Sequence, residues 1–390
     1  MKQLKLIVLI VFVANNLFAQ TEPIPTYKVG IFAPLYLDSI FTNGVLKNKE
    51  SIPKFVQPSL EFVQGVQIAI DSLKIKTANI EVYIYDSKSY TKSIYTLVNT
   101  NKLDSLNLII GHSKDLDFQQ LSDFALAKNI PFISVTYPND GGITSNPFTV
   151  IMNSTLKAHC ESIYSYLLQN SPTDKLFILR KKGLQEDKIA AYFKAINEQE
   201  GKPLLPIQTI TIDSGFNSDV LVKSLDSNRK TVIIGASLEE AFGKNVAEAC
   251  SNLFPSYPIT LIGMPNWDGF SSLRKKDAFE EFPIYFTTPY FNTKLDEYSK
   301  QIISAYSKKY TTKPSDMAFK GFEAAKYFIP LLVAHPNDYM SNLNNKENKV
   351  FCAYNFKPVF LSKKTATPDY FENKHLYFIK LLNGSVSKAW

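Results

Sequence analysis

The sequence predicts an α/β protein of two similar lobes, each a parallel sheet with helices on both faces. Three observations carry this. Apolar strand-like runs alternate with helix-period segments from Tyr27 onward, the rhythm of parallel strands joined by helical crossovers. One such series ends near Val135 and a second begins at Leu156. The 390 residues also exceed what a single core accommodates, so two compact units are expected.

The first series opens with a β-branched and aromatic run at 27–33 (YKVGIFA) that stops at Pro34, which cannot donate to a sheet ladder. Ser59 then offers an N-cap to a helix whose Val63, Val66, Ile70 and Leu73 fall on one face. Strands are expected at 80–85, 106–110 and 131–135, with helices at 92–101 and 118–128 between them. The second series predicts helices at 156–168, 186–197, 218–225 and 239–251, and strands at 175–179, 206–212, 231–235 and 259–263. A strand at 282–287 and two long helices at 295–310 and 317–333 follow. In the tail, 341–347 reads as a loop. Strands are expected at 349–356 and 375–382, and Asn383-Gly384 signals a turn.

The N-terminus has its own logic. Lys2 and Lys5 precede an apolar run at 6–13, and Leu17-Phe18-Ala19 stands before Gln20. This is the layout of a secretory signal peptide over 1–19, cut after Ala19. The run is too short for a membrane anchor, which needs about 20 apolar residues. No cysteine lies near Ala19, so no lipobox is expected. The expectation is a periplasmic or secreted chain with no transmembrane segment after signal cleavage.

Composition narrows the function classes. The formal charge is +7, or +5 without Lys2 and Lys5, and basic runs stop at Arg180-Lys181-Lys182. Scattered lysines of this kind argue against nucleic acid as a partner. Cys160, Cys250 and Cys352 form an odd set, so at most one disulfide can form. None belongs to a C-x-x-C pair, and the histidines have no partner motif, so no metal and no cofactor is expected. A nucleophile elbow, a Walker loop, an H-E-x-x-H helix and a G-x-G-x-x-G turn after a strand are all missing. The reading is therefore not an enzyme.

A family comes into view in the ordered strand ends. Val29-Gly30-Ile31-Phe32-Ala33-Pro34-Leu35 resembles the first strand and loop of the type I periplasmic-binding proteins, the group containing branched-chain amino-acid receptors of ABC transporters. Phe62-Val63-Gln64-Gly65-Val66-Gln67-Ile68-Ala69-Ile70 is similar to their first helix. Tyr85-Asp86-Ser87, Ile109-Ile110-Gly111-His112-Ser113 and Ile130-Pro131-Phe132-Ile133-Ser134 resemble the next strand ends. Lys313-Pro314-Ser315-Asp316 and Gly321-Phe322-Glu323-Ala324-Ala325 resemble the late helix pair. The likeness spans most of 27–333. It implies two Rossmann-like lobes, three hinge crossovers and a ligand clamped between the lobes. Residues 27–150 and 285–333 would form the first lobe, 151–284 and 334–390 the second.

Ligands in open parallel sheets collect beyond the carboxyl ends of the strands. The candidate cleft residues are Tyr36, Asp86, Ser113, Asp115, Thr136 and Tyr137 from the first lobe. Arg180, Ser237, Asn266 and Trp267 come from the second, and Tyr290 follows the return crossover. The amino-acid grip that the resemblance implies is not reproduced. Asp115 falls where a carboxylate-binding serine is expected, though Ser113 is close, and an aspartate repels a carboxylate. The loop that should carry an ammonium-binding acid reads Met264-Pro265-Asn266-Trp267, with Asp268 one step on. Tyr36, Tyr137, Trp267 and Tyr290 would suit a ring, sugar or apolar body.

Each candidate also has a plain structural reading. Asp86 can cap the following helix, Asp115 and Asp117 can mark a solvated helix start or hold a cation, and Arg180 to Lys182 can grip an anion or sit in solvent. His112 reads as a strand-end residue. The function expected is an exported solute-binding or sensing protein with a small-molecule ligand, with a membrane permease or envelope protein as further partner. The alternative is an envelope scaffold or regulator of the same fold that acts by protein contact, for instance on peptidoglycan synthesis, without a small ligand.

Overall fold

The computed structural model describes residues 24–47, 51–199, 201–212, 218–276, 278–362 and 365–389. The signal-like segment 1–19 lies outside them. Five strands come first: β1 (Thr26–Ala33), β2 (Asn79–Asp86), β3 (Leu108–Gly111), β4 (Phe132–Ser134) and β5 (Thr149–Ile151). Five more follow: β6 (Lys175–Lys181), β7 (Ile207–Ile212), β8 (Thr231–Gly235), β9 (Ile259–Gly263) and β10 (Ile284–Thr288). The tail adds β11 (Phe356–Val359), β12 (Tyr370–Asn373), β13 (Tyr377–Leu382) and β14 (Ser385–Lys388).

These strands build two seven-stranded sheets, ordered β11-β12-β5-β4-β3-β1-β2 and β7-β6-β8-β9-β10-β13-β14. The first five strands of each sheet repeat one order, second-first-third-fourth-fifth, all parallel. The two-lobed α/β expectation holds. In each sheet the order reverses beside the first strand, so strand ends open toward one edge where a ligand can enter.

Side-chain alternation explains why both faces are covered. In β1, Ile31 joins one core with Phe62, Phe319 and Phe328, while its neighbour Phe32 faces a second core with Phe118 and Phe132. Helices Gln57–Ser72 and Asp316–Ala334 seal the first face. Asp115–Lys128 covers the other and ends on Asn129 at φ 54, a left-handed cap that asparagine tolerates. Ser59, expected as an N-cap, is instead buried inside its helix, which starts two residues earlier at Gln57 with Pro58 in the first turn. Proline suits that position because its missing N–H has no helical partner there.

The tail differs from expectation. The sequence places 334–390 in the second lobe, yet β11 and β12 join the first sheet, and only β13 and β14 reach the second. The physical reason is the free side of β5, a three-residue strand. Phe371 and Glu372 of β12 pair with its Val150 and Ile151, and Tyr370 and Phe356 are buried in first-lobe cores. Likewise, segment 285–333 packs its helices on the first lobe, but its opening strand β10 pairs with β9 and β13 in the second sheet. The turn at Asn383-Gly384 is as expected: both residues have positive φ, 45 and 70, and they join β13 to β14 as a hairpin.

The chain thus crosses between sheets three times, at 152–155, at 289–296 and at 374–376. The crossings lie together. Ser154 donates to the Asn373 carbonyl at 2.6 Å, and the Thr155 N–H donates to buried Glu372 at 2.7 Å. Lys374 pairs with Glu372 at 2.6 Å and with Glu161 at 2.9 Å. This charge cluster ties the first and third crossings into one hinge.

Candidate functional site

Between the lobes lies a cavity of about 540 Å³, within the range of small-molecule sites. The first lobe contributes the loop after β4 (Pro138, Asn139, Asp140), the first crossing (Asn153, Ser154, Thr155) and Lys320. The second contributes helix Leu184–Asn197 through Gln185 and Lys188, and the segments after β8 and β9 through Leu238 and through Pro265, Asn266 and Asp268. The end of β10 and Tyr290 close the hinge side. Most are strand-end or crossover positions, as the topology requires, while Gln185, Lys188 and Lys320 stand on helices.

Two of the eleven sequence candidates line this cavity: Asn266 and Tyr290. The Asn266 amide donates to the Leu238 carbonyl at 2.6 Å, which fixes the loop after β9. Its Oδ1 is buried without a partner, an acceptor left for something else. The Tyr290 hydroxyl is also buried and unpartnered. Burial first, then the nearby Glu323 carboxyl, pushes its pKa well above the usual phenol value. Lys320 sits 5.5 Å from the Tyr290 ring centroid, a cation–π approach.

The remaining candidates turn out to build the loops. Asp86, open in sequence to reading as a ligand contact or a helix cap, holds the loop after β1 and is not among the residues that line the cavity. Its carboxylate accepts the backbone N–H groups of Leu35, Tyr36 and Leu37 at 2.9, 3.0 and 2.7 Å, and that of Lys88 at 2.9 Å. In that loop Tyr36 takes φ 55 and packs edge-on against Phe55. Asp115 is exposed and accepts from the Tyr137 hydroxyl at 3.1 Å, while the Tyr137 ring leans on Phe118. Ser113 is buried with an unpartnered hydroxyl, away from the cavity lining.

Thr136 shares a 2.6 Å hydrogen bond with His112 Nδ1. Burial, then Lys320 and Lys114, holds that imidazole neutral with its pKa down to about 4. Arg180 is taken by Asp187. Ser237 is buried and donates to Glu186 at 2.6 Å. Trp267, expected to offer its face to a ligand, is fully buried. Its ring lies directly on Gly235 and Gly263, where an added Cβ would meet it at 2.4 and 2.2 Å. Its indole N–H donates to the Ser237 carbonyl at 2.9 Å. Two strand-ending glycines make room for a core tryptophan, and that pairing was the legible signal.

Sequence reasoning missed Lys157, Lys188 and Lys320, and it passed over His159. Lys157 is the second residue of helix Leu156–Asn170, a position where a lysine is unfavourable to the helix dipole, whereas Lys320, the fifth residue of helix Asp316–Ala334, carries no such signal. The position of Lys157 was the only available hint. His159 at the cavity wall is buried and hydrogen-bonds Thr287 Oγ1 at 2.7 Å. Burial, then Lys374, lowers its pKa to about 3, so it stays neutral. Asp268 has its carboxyl pKa raised by burial, opposed by Arg274 and Lys320.

No group of three or more histidine, cysteine or acidic side chains able to hold a metal occurs among the described residues. None of their helices is long and apolar enough to cross a membrane.

Solved structures share the whole architecture. An ABC transporter substrate-binding protein from Desulfitobacterium hafniense, in complex with leucine, is 12% identical, with 93% of this chain and 100% of that one aligned at a TM-score of 0.56. A branched-chain amino acid ABC transporter periplasmic ligand-binding protein from Burkholderia xenovorans is 12% identical over 93% and 94% of the two chains, with a TM-score of 0.59. A leucine-binding protein from Thermotoga maritima is 13% identical over 93% and 98%, at 0.53. At such identities the likeness concerns the fold. No curated protein sequence matches the chain. The profile of the family described as "Periplasmic binding protein", however, matches residues 57–338. With both sheets, the crossings and the inter-lobe cavity in place, the chain belongs to the periplasmic binding protein family.

Proposed function

We propose that this chain is an exported solute receptor that clamps a small molecule between its lobes and presents it to an ABC transporter. The observation that carries the reading is the cavity of about 540 Å³ lined by both lobes, with the buried Asn266 Oδ1 unpartnered at its wall. A cavity whose polar groups await partners suits a ligand better than a scaffold that has lost one. A hydroxyl–imidazole contact stands at the wall, His159 with Thr287, but both side chains are buried, which supports a structural role for the pair and binding without chemistry. Export is supported by the charged and apolar segments of residues 1–19.

A thermal-shift and calorimetric screen of amino acids, carboxylates, sugars, nucleosides and aromatic acids tests the reading. At least one compound should raise the melting temperature, and Asn266→Leu should weaken its binding. Stabilisation by none of these classes would count against a receptor. Export is tested separately by sequencing the N-terminus of the protein recovered from culture fractions, which should begin at Gln20.

A further inference from the structure

The chemistry of the cavity wall points to a class of solute, a step that rests on the receptor reading and deepens it. Lys320 reaches the cavity from the first lobe, and Lys157 and Lys188 reach it from two different helices of the second. Among the described residues none of the three has a carboxylate within ion-pair distance, unlike Lys88, which pairs with Asp117, and Lys128, which pairs with Asp104. Lys188 lies 5.8 Å from the centre of the Tyr192 ring and Lys320 5.5 Å from that of Tyr290, so two of the ammonium groups are seated on aromatic walls.

We infer that the cleft takes an organic dianion, with one negative group held by Lys320 of the first lobe and the other by Lys157 and Lys188 of the second.

The wall also carries the carboxylates of Asp140 and Asp268, which leave the three lysines in excess by one charge. Asp140 is occupied by the Gly142 N–H at 3.0 Å and the Tyr370 hydroxyl at 3.3 Å. Burial opposes ionisation of Asp268, while Arg274 and Lys320 favour it. His159 is neutral. Three like charges converging on a concave site repel one another and focus a positive potential there. An anion that spans the lobes relieves that repulsion, and only in the closed arrangement does it meet both sets of lysines. The first-turn N–H groups of helix Leu156–Asn170, which also faces the cavity, add donors of the right sign. Tyr192, Tyr290, Leu238 and Pro265 leave room for an apolar or aromatic body between the charges. A zwitterionic amino acid uses this arrangement less well, because the three lysines outnumber the two carboxylates that its ammonium could meet.

Calorimetry on the purified protein with phthalate, succinate and glucose 6-phosphate as dianions, leucine as a zwitterion and glucose as a neutral solute decides the matter. At least one dianion should bind, more weakly at about 300 mM than at about 50 mM salt. Lys320→Gln and Lys188→Gln should each weaken it by about tenfold or more, with the unliganded melting temperature unchanged. Binding of leucine or glucose but of no dianion overturns the inference and leaves the receptor reading standing. A dianion that binds the Lys157→Gln, Lys188→Gln, Lys320→Gln triple variant as tightly as the parent also overturns it. Binding of nothing across all three charge classes counts against the receptor itself.

Discussion

Helices Gln57–Ser72 and Asp316–Ala334 meet backbone to backbone, and that contact yields a sharp prediction. A Cβ at Gly321 would lie 2.0 Å from the Phe62 carbonyl oxygen, and one at Gly65 would lie 1.9 Å from the Ala318 carbonyl oxygen. In an isolated helix, Gly321→Ala would gain up to about 1 kcal/mol of propensity. Here the obstacle is main chain, which cannot rotate away as a side chain can. The helices would have to part by roughly an ångström or more, and a close-packed core resists such a shift. Phe62, Phe319 and Phe322, all buried at this seam, would lose contact along it. Overpacking against main chain belongs at the upper end of the usual cost, about 2–3 kcal/mol, so after the propensity gain of up to about 1 kcal/mol a net destabilisation of about 1–2 kcal/mol is expected. Chemical denaturation followed by far-ultraviolet circular dichroism measures it. An alanine variant as stable as the parent, or more so, would refute the argument from backbone contact.

Three further perturbations probe the loops, the buried histidine and the thiols. Asp86→Ala removes an acceptor shared by four backbone N–H groups and should cost about 2–4 kcal/mol in denaturation while leaving solute affinity within a few-fold; a large affinity loss with unchanged stability would show Asp86 at the ligand instead. His159 is held neutral with a pKa of about 3 against an ordinary 6.5, so the unfolded chain takes up a proton that the folded chain refuses. Stability is therefore fully present above pH 6.5 and falls as the pH drops below it, by about 1.4 kcal/mol per pH unit for this one group; melting curves from neutral pH downward should show His159→Gln losing less than the parent, and identical slopes would contradict the assignment. Cys160, Cys250 and Cys352 are buried free thiols, the first two with pKa values pushed up to about 12 by burial, so an aromatic disulfide reagent should modify none of them in the folded protein and all three in denaturant.

The fold was legible because its signals are local. Each parallel strand is an apolar run ending at a turn residue, and the predicted strands at 231–235 and 259–263 coincide with β8 and β9. The failures share one cause. A three-residue strand such as β5 has no periodicity of its own, so neither its place beside β4 nor its pairing with β12 could be read from residues that lie more than two hundred positions apart. The site was less legible than the fold. Asn266 and Tyr290 lie at the cavity because loops after strand ends must face the cleft. Trp267 follows the same rule in sequence but turns inward, since Gly235 and Gly263 vacate the space its ring fills. Lys157, Lys188 and Lys320 escaped notice because a lysine on a helix normally reads as a solvated face. Only the docking of one lobe on the other makes these three neighbours of one cavity.

The central claim is that a solute is held between the lobes and draws them together. Leu37 after β1 and Leu184 after β6 are exposed, at 43% and 90%, and open the helices that follow the cleft-facing strand ends of opposite lobes. Cysteines placed at both positions can be labelled with a fluorescent donor and acceptor, because the native thiols are buried. Energy transfer is then measured with and without a saturating solute from the binding screen. The account predicts a shorter donor–acceptor distance in the bound state, and Lys320→Gln should need about tenfold or more solute to reach the same shortening. An unchanged distance under calorimetrically confirmed saturation would contradict a clamp between the lobes.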